Sequence, residues 1–173
     1  MDKYNTFGPR FFALIIDGII LGLIDLIIHL IPFSNSSVIS IIVTMISSNI
    51  PYLYSILMLG RFGQTVGKML LNVKVVDNLG ENKIGYYQAF MRESIPVFIV
   101  NTCIIMASII TSGVDLENYE FSVLENIILF IPSVMLLLWS LTEIITMLFN
   151  AKNRALHDII ANTVVIMTDS KLR

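Results

Sequence analysis

Residues 11–31 read Phe11-Phe12-Ala13-Leu14-Ile15-Ile16-Asp17-Gly18-Ile19-Ile20-Leu21-Gly22-Leu23-Ile24-Asp25-Leu26-Ile27-Ile28-His29-Leu30-Ile31, an apolar run broken only by two acids, two glycines and a histidine. A helix rises 1.5 Å per residue, so about 20 such residues cross the roughly 30 Å hydrocarbon layer of a bilayer. The run is longer than the roughly 7 to 15 residues of a signal-peptide core, and no small-residue cleavage site precedes Pro32. A retained transmembrane helix is expected.

Working outward, the same criterion places spans at about 9–31, 38–60, 93–114 and 123–149, with short connectors at 32–37 and 115–120, a loop at 61–92 and a tail at 150–173. Pro51 and Pro132 fall inside the second and fourth spans, where local kinks are expected. Residues 69–77 followed by Asn78-Leu79-Gly80-Glu81 read as a strand entering a turn, so a small β-hairpin is expected in the loop. The tail reads as an interfacial helix turning back towards the bundle. No internal repeat is evident in the residue pattern. The fold class that follows is an all-α integral membrane protein, one domain over residues 1–173 with four transmembrane helices, a small cytoplasmic β-hairpin loop and an interfacial C-terminal helix.

The charge pattern sets the orientation, because cytoplasmic segments retain Lys and Arg. The two short connectors hold none. Every Lys and Arg lies before or at the start of the first span (Lys3, Arg10), in the loop (Arg61, Lys68, Lys74, Lys83, Arg92) or in the tail (Lys152, Arg154, Lys171, Arg173). An even number of spans puts all three segments, and both termini, in the cytoplasm of a multi-pass cell-membrane protein. Over the 173 residues, 55% apolar and 14% charged, 11 basic side chains face 13 acidic ones with no long basic run, which leaves no nucleic-acid-binding face. Cys103 stands alone, so disulfides and cysteine metal sites are excluded.

A charged side chain at bilayer depth costs about 2.5 to 3.5 kcal/mol, so each needs a partner, a cavity or a function. Arg10 and Asp17 are two turns apart on nearly one face of the first helix and are candidates to pair; Asp25 and His29 follow at near-helical spacing. Gly18-x-x-x-Gly22 has the form of a close helix contact, where added bulk would cost stability and assembly. Thr44, Ser48, Pro51 and Ser55 on the second span, Ser94, Asn101 and Ser108 on the third, and Glu125, Ser140, Glu143 and Asn150 on the fourth form matching seams. Asp17 and Glu143 each lie about 10 Å from the cytoplasmic end of their helices. With the neutral oxygens of Asn101 and Ser48, they are the candidates for an ion- or proton-binding set. The competing reading is packing: Ser, Thr, Asn and Gly are ordinary helix-contact residues.

Three local patterns resemble the RDD family of membrane proteins. They are Gly8-Pro9-Arg10-Phe11-Phe12-Ala13 with Asp17; Gly63-Gln64-Thr65-Val66-Gly67-Lys68-Met69-Leu70-Leu71 leading to Val75-Val76-Asp77; and Arg154-Ala155-Leu156-His157-Asp158-Ile159-Ile160-Ala161-Asn162-Thr163-Val164-Val165. Arg10, Asp17 and Asp158 match the arginine and two aspartates of the family's name, and Asn162 stands where the family often has glycine. The resemblance implies a small membrane domain with suspected links to transport, to sodium/proton exchange or to regulation of other membrane proteins.

Gly63-x-x-x-Gly67-Lys68 is not a phosphate-binding loop: three residues separate the glycines instead of four, and Met69 follows the lysine. It reads as a glycine turn at the membrane surface with Lys68 towards anionic headgroups. His157-Asp158 has no accompanying nucleophile or metal-ligand spacing, so no enzyme, cofactor or metal is expected. Asp158 is a candidate to pair with Arg10, Arg92 or Arg154 in a structural charge network. Two functions follow: exchange of a small cation such as sodium for protons, with the path formed in a homodimer, or a non-transporting scaffold or regulator of a partner membrane protein. Besides such a partner, the lipid bilayer is the expected surrounding.

Overall fold

The computed structural model describes residues 3–30, 37–111 and 123–168; the side chains of residues 29, 37–38, 40–41, 107–111, 123–129 and 132 lie outside this description. Both connectors, and the side chains of His29, Ser108, Glu125 and Pro132, therefore fall outside it, wholly or nearly so. The element order is α1 (Phe7–His29), α2 (Ser37–Phe62), α3 (Val66–Leu70), β1 (Val73–Asp77), α4 (Tyr86–Thr111), α5 (Val123–Phe149), α6 (Leu156–Ile160) and β2 (Thr163–Met167). Three helical stretches among the described residues are long and apolar enough to cross a membrane: Phe7–Ile28, Ile42–Phe62 and Tyr86–Met106, while Ser133–Phe149 of α5 forms a shorter apolar run. The protein is mostly helical and membrane-embedded.

The third helix begins at Tyr86 rather than near residue 93. Arg92 looks like a loop residue by hydropathy and Glu93 like a span's edge, but both have partners inside the helix. Arg92 bonds Asp158, and Glu93 accepts a 2.5 Å hydrogen bond from Ser55 of α2. The loop is correspondingly shorter.

The expected hairpin is a correction. β1 alternates Val73 and Val75 inward, yet its partner is β2 from the tail, antiparallel, with Val73 opposite Met167, Val75 opposite Val165 and Asp77 opposite Thr163. The turn after β1 closes on itself only through the Val76–Lys83 bridge. Residues Met69 and Leu70 belong to α3, not to a strand. In the tail the helix is a single short one that gives way to β2. The inner face of the sheet joins Val73, Val75 and Val165 to Leu59 of α2 and Ile84 and Ala89 around the start of α4 in one buried core. This sheet with α3 and α6 forms a cap, at which the starts of α1 and α4 and the ends of α2 and α5 meet.

The element order is the same unit twice: two long helices, a short helix, a strand. The second correction is therefore that an internal repeat exists, with an offset of 90 residues between its two short helices and between its two strands. Among the described residues, four of the five positive-φ positions obey it, Gly63 with Asn153 and Asn72 with Asn162 (φ +73°, +48°, +54° and +51°). Gln64 Nε2 donates to the Val73 carbonyl and Arg154 Nε donates to the Thr163 carbonyl, each at 2.8 Å and each 90 positions from the other. The left-handed conformation explains Asn162 where the family often carries glycine, since asparagine is the side chain that tolerates it best.

Candidate functional site

The family-motif residues assemble in the cap. Asp17, halfway along α1, accepts hydrogen bonds from Tyr54 Oη (3.0 Å), Thr65 Oγ1 (2.6 Å) and the Gly67 amide (2.8 Å). Thr65 is the N-cap of α3 and also accepts from the Lys68 amide. The carboxylate thus closes the amino end of a short helix whose first amides have no partner within it. Such an approach needs Gly67: a Cβ there would overlap the Ala13 carbonyl oxygen and stand 3.0 Å from the Asp17 carboxyl. Gly63, in the left-handed conformation at the end of α2, brings its carbonyl to the Val75 amide at 2.8 Å.

In the second repeat, the buried Asp158 lies at the third position of α6. Its Oδ2 is 2.8 Å from Arg10 Nη1 and accepts the Ala155 amide at 3.1 Å, while its Oδ1 is held by Arg92 Nη1 and by Thr163 Oγ1 at 3.2 Å. Arg154 Nη2 donates to its main-chain carbonyl. Burial pushes the Asp158 carboxyl up, but Arg92, His157 and Arg10 together outweigh burial and hold it well below the usual carboxylate range. Two guanidiniums share one carboxylate, and Arg10 Nε and Nη2 and Arg92 Nε are buried with no acceptor among the described residues. Arg10 therefore does not pair with Asp17, as its place on the helix face had suggested; the α3 amide end takes Asp17 and the tail takes Arg10.

Glu143 of α5 accepts the His157 amide at 3.2 Å and the His157 ring Nδ1 at 2.6 Å. Arg92 Nη2 lies 2.9 Å from His157 Nε2. The imidazole is thus wedged between Glu143 on its Nδ1 side and Arg92 on its Nε2 side. Lys68, partly buried beside Arg92, Glu93, Arg10 and Asp17, is pushed down to about 8 by burial and by repulsion from Arg92. It faces these protein charges, not only the membrane surface.

The proposed ion-binding set does not converge. Asn101 of α4 makes a reciprocal amide pair with Asn49 of α2, both bonds 2.9 Å, and Ser48 Oγ donates to the Met45 carbonyl of its own helix. Asn49 escaped the sequence reading, although an asparagine within a span is itself the signal. Ser140 and Ser94 also bond carbonyls of their own helices. Among the described residues nothing lies within 4 Å of where a Cβ would stand at Gly18 or Gly22. α1 is held at its base by α3 and touches α2 only lightly. Between α1 and α2 opens a cleft of about 410 Å³ whose lining includes Gly22, Asp25, Thr44, Ser47 and Ser48.

Apolar spans tied at one end by a repeated cap with a buried Arg–Asp–Arg bridge define a small helical membrane protein whose motif residues build that cap. The chain belongs to the RDD family, whose model matches residues 4–162, nearly its whole length. No curated protein and no solved structure matches it.

Proposed function

We propose that the chain is a non-transporting scaffold or regulator that docks a partner membrane protein through α1, with four spans and the cap and both termini in the cytoplasm. The fourth span is α5, whose 27 residues give it a length of about 40 Å. Its support is parity: α1 and α4 leave the cap, and α2 and α5 return to it. The Lys and Arg distribution supports the orientation.

The observation that carries the docking reading is the uncovered face of α1. Gly18 and Gly22 lie one turn apart with open space in front of them, and glycines at this spacing let a second helix approach closely in a bilayer. The acids that had suggested transport, Asp17 and Glu143, are meanwhile committed to the short helices. A photoreactive amino acid placed at Gly22 should cross-link in native membranes to a different membrane protein. The purified chain in liposomes should show no proton flux when sodium, lithium or potassium is added. Cation-dependent proton flux would overturn this reading.

The cleft favours a second reading, sodium/proton exchange through Asp25, since the cleft holds Asp25 and not Asp17 or Glu143. Neutral hydroxyls of Thr44, Ser47 and Ser48 beside a carboxylate suit a hard cation. Under this reading Asp25→Asn abolishes flux and Asp17→Asn does not do so selectively.

A further inference from the structure

The cap leaves aliphatic side chains uncovered at equivalent stations of its two repeats. Leu70, at the end of α3, is 64% exposed, and Ile160, 90 residues later at the end of α6, is 44% exposed beside the exposed Ile159. Leu79 is exposed too, but it stands alone in a turn with Gly80, Glu81, Asn82 and Lys83, which is ordinary for a water-facing turn. The repeated positions are not of that kind.

Their level along the bundle differs as well. α3 does not sit beyond the end of α1 but alongside Ala13 and Asp17, the latter about 15 Å along the helix from Phe7. At that level α1 exposes Phe11, Phe12 and Leu14. α6 lies beside Glu143, about 9 Å in from Phe149, where α5 exposes Leu141, Ile144 and Ile145. The exposed apolar residues of the short helices thus lie at the same level as exposed apolar residues of the long ones.

The hydrogen bonding fits the same position. In water, the first amides of a short helix are satisfied by solvent. In a water-poor layer they need protein acceptors. Here a carboxylate from a long helix is assigned to each: Asp17 to the Gly67 amide and Glu143 to the His157 amide. We propose that α3 and α6 are sunk into the headgroup and upper acyl layer of the leaflet on the cap side, with Leu70, Ile159 and Ile160 inserted among phospholipid chains. The cap is a membrane-inserted clamp, and only its sheet edge and the turn after β1 stand in water.

Single-tryptophan variants test this. In a Trp139→Phe background, Leu70→Trp, Ile160→Trp and Leu79→Trp are reconstituted into phosphatidylcholine brominated near the headgroup end of its chains. Tryptophan at 70 or 160 should lose most of its emission to the bromines and be shielded from aqueous iodide, whereas tryptophan at 79 should respond to iodide alone. Iodide quenching at 70 and 160 equal to that at 79, with no effect of bromine, would overturn the proposal. If one repeat does not tolerate tryptophan, the equivalent station of the other carries the same test.

Discussion

Asp17 and Glu143 hold equivalent posts: each accepts the amide of the second residue of a five-residue helix, Gly67 at 2.8 Å and His157 at 3.2 Å, 90 positions apart. They come from different long helices, α1 and α5, so the two acids tie opposite ends of the chain to one cap. Cost decides their role. A carboxylate at this depth is tolerated where it is the acceptor for several donors, and Asp17 serves three.

Removing that acceptor should be expensive. Asp17→Ala orphans the Gly67 amide, Thr65 and Tyr54, and should cost roughly 2–4 kcal/mol of stability. Asp17→Asn keeps an oxygen for the amide and should cost less, and Glu143→Gln should cost less still. Thermal unfolding in detergent, followed by circular dichroism, measures the order. Equal stability of Asp17→Ala and the native chain would remove Asp17 from the clamp.

Glycine substitutions separate the clamp from the docking face. Gly67→Ala drives a methyl group into the Ala13 carbonyl and should lose roughly 1–3 kcal/mol through overpacking. Gly22→Leu meets open space, so the isolated chain should keep its melting temperature, contrary to what its glycine spacing suggests. What Gly22→Leu should lose is the cross-link to a partner. A large drop in melting temperature for Gly22→Leu would show that α1 packs closely against the chain through Gly22.

Asp158 is the hub of the charge network. Asp158→Asn leaves two buried guanidiniums without their shared anion and should cost roughly 3–5 kcal/mol. A charge swap with Arg92 should not rescue it, because Arg10 would then face a second cation across the same 2.8 Å contact. Its folded carboxyl titrates below the ordinary range, so its contribution is complete above about pH 4 and is lost as pH falls through the lower folded value. An acid-unfolding curve for Asp158→Asn should therefore be flatter below pH 4 than that of the native chain.

Lys68 acts in the opposite sense. Its folded value, about 8, lies below the ordinary 10.5, so between these values the unfolded chain binds more protons than the folded one. Stability should rise as pH increases from 8 to 10.5, when the cost of a buried ammonium near Arg92 and Arg10 is relieved. Lys68→Met should be more stable than the native chain at pH 7 and should lack this rise. Melting temperatures across the alkaline range decide it.

What the sequence revealed and concealed follows from the range of each signal. Hydropathy is read locally, and the apolar runs were legible; Arg92 shortened the reading of α4 because its neutralising partner, Asp158, lies far away in sequence. β1 was visible in the alternation of Val73 and Val75, but its partner β2 was not, and the nearby Asn78-Leu79-Gly80 turn drew the pairing to the wrong place. The repeat was hidden because, between residues 63–77 and 153–167, only Asn72/Asn162 and Val75/Val165 are identical. Backbone conformation and hydrogen bonding preserve what side chains have lost. Arginine partners for Asp158 could be named from charge alone. That Arg10 would prefer Asp158 to Asp17 depends on where α3 docks, which only the packed structure determines.

The amide pair of Asn49 and Asn101 offers the sharpest test of how α2 and α4, one from each repeat, are joined. Each amide donates to the other's carbonyl oxygen at 2.9 Å, and each also donates to a carbonyl of its own helix, Met45 or Val97. Replacing one asparagine by leucine leaves the other with unsatisfied groups in a water-poor interior, which should cost about 1–2 kcal/mol. Replacing both removes the orphan along with the bond. The double variant should then recover most of the loss, because leucine fills similar volume and needs no partner. A thermodynamic cycle over the two single variants and the double variant measures the coupling directly. Additive losses, with the double variant as weak as the sum of the singles, would mean that the two asparagines act separately. In that case α2 and α4 would be held by the Ser55–Glu93 bond and by the contact of Gly60 with the Tyr86 ring instead.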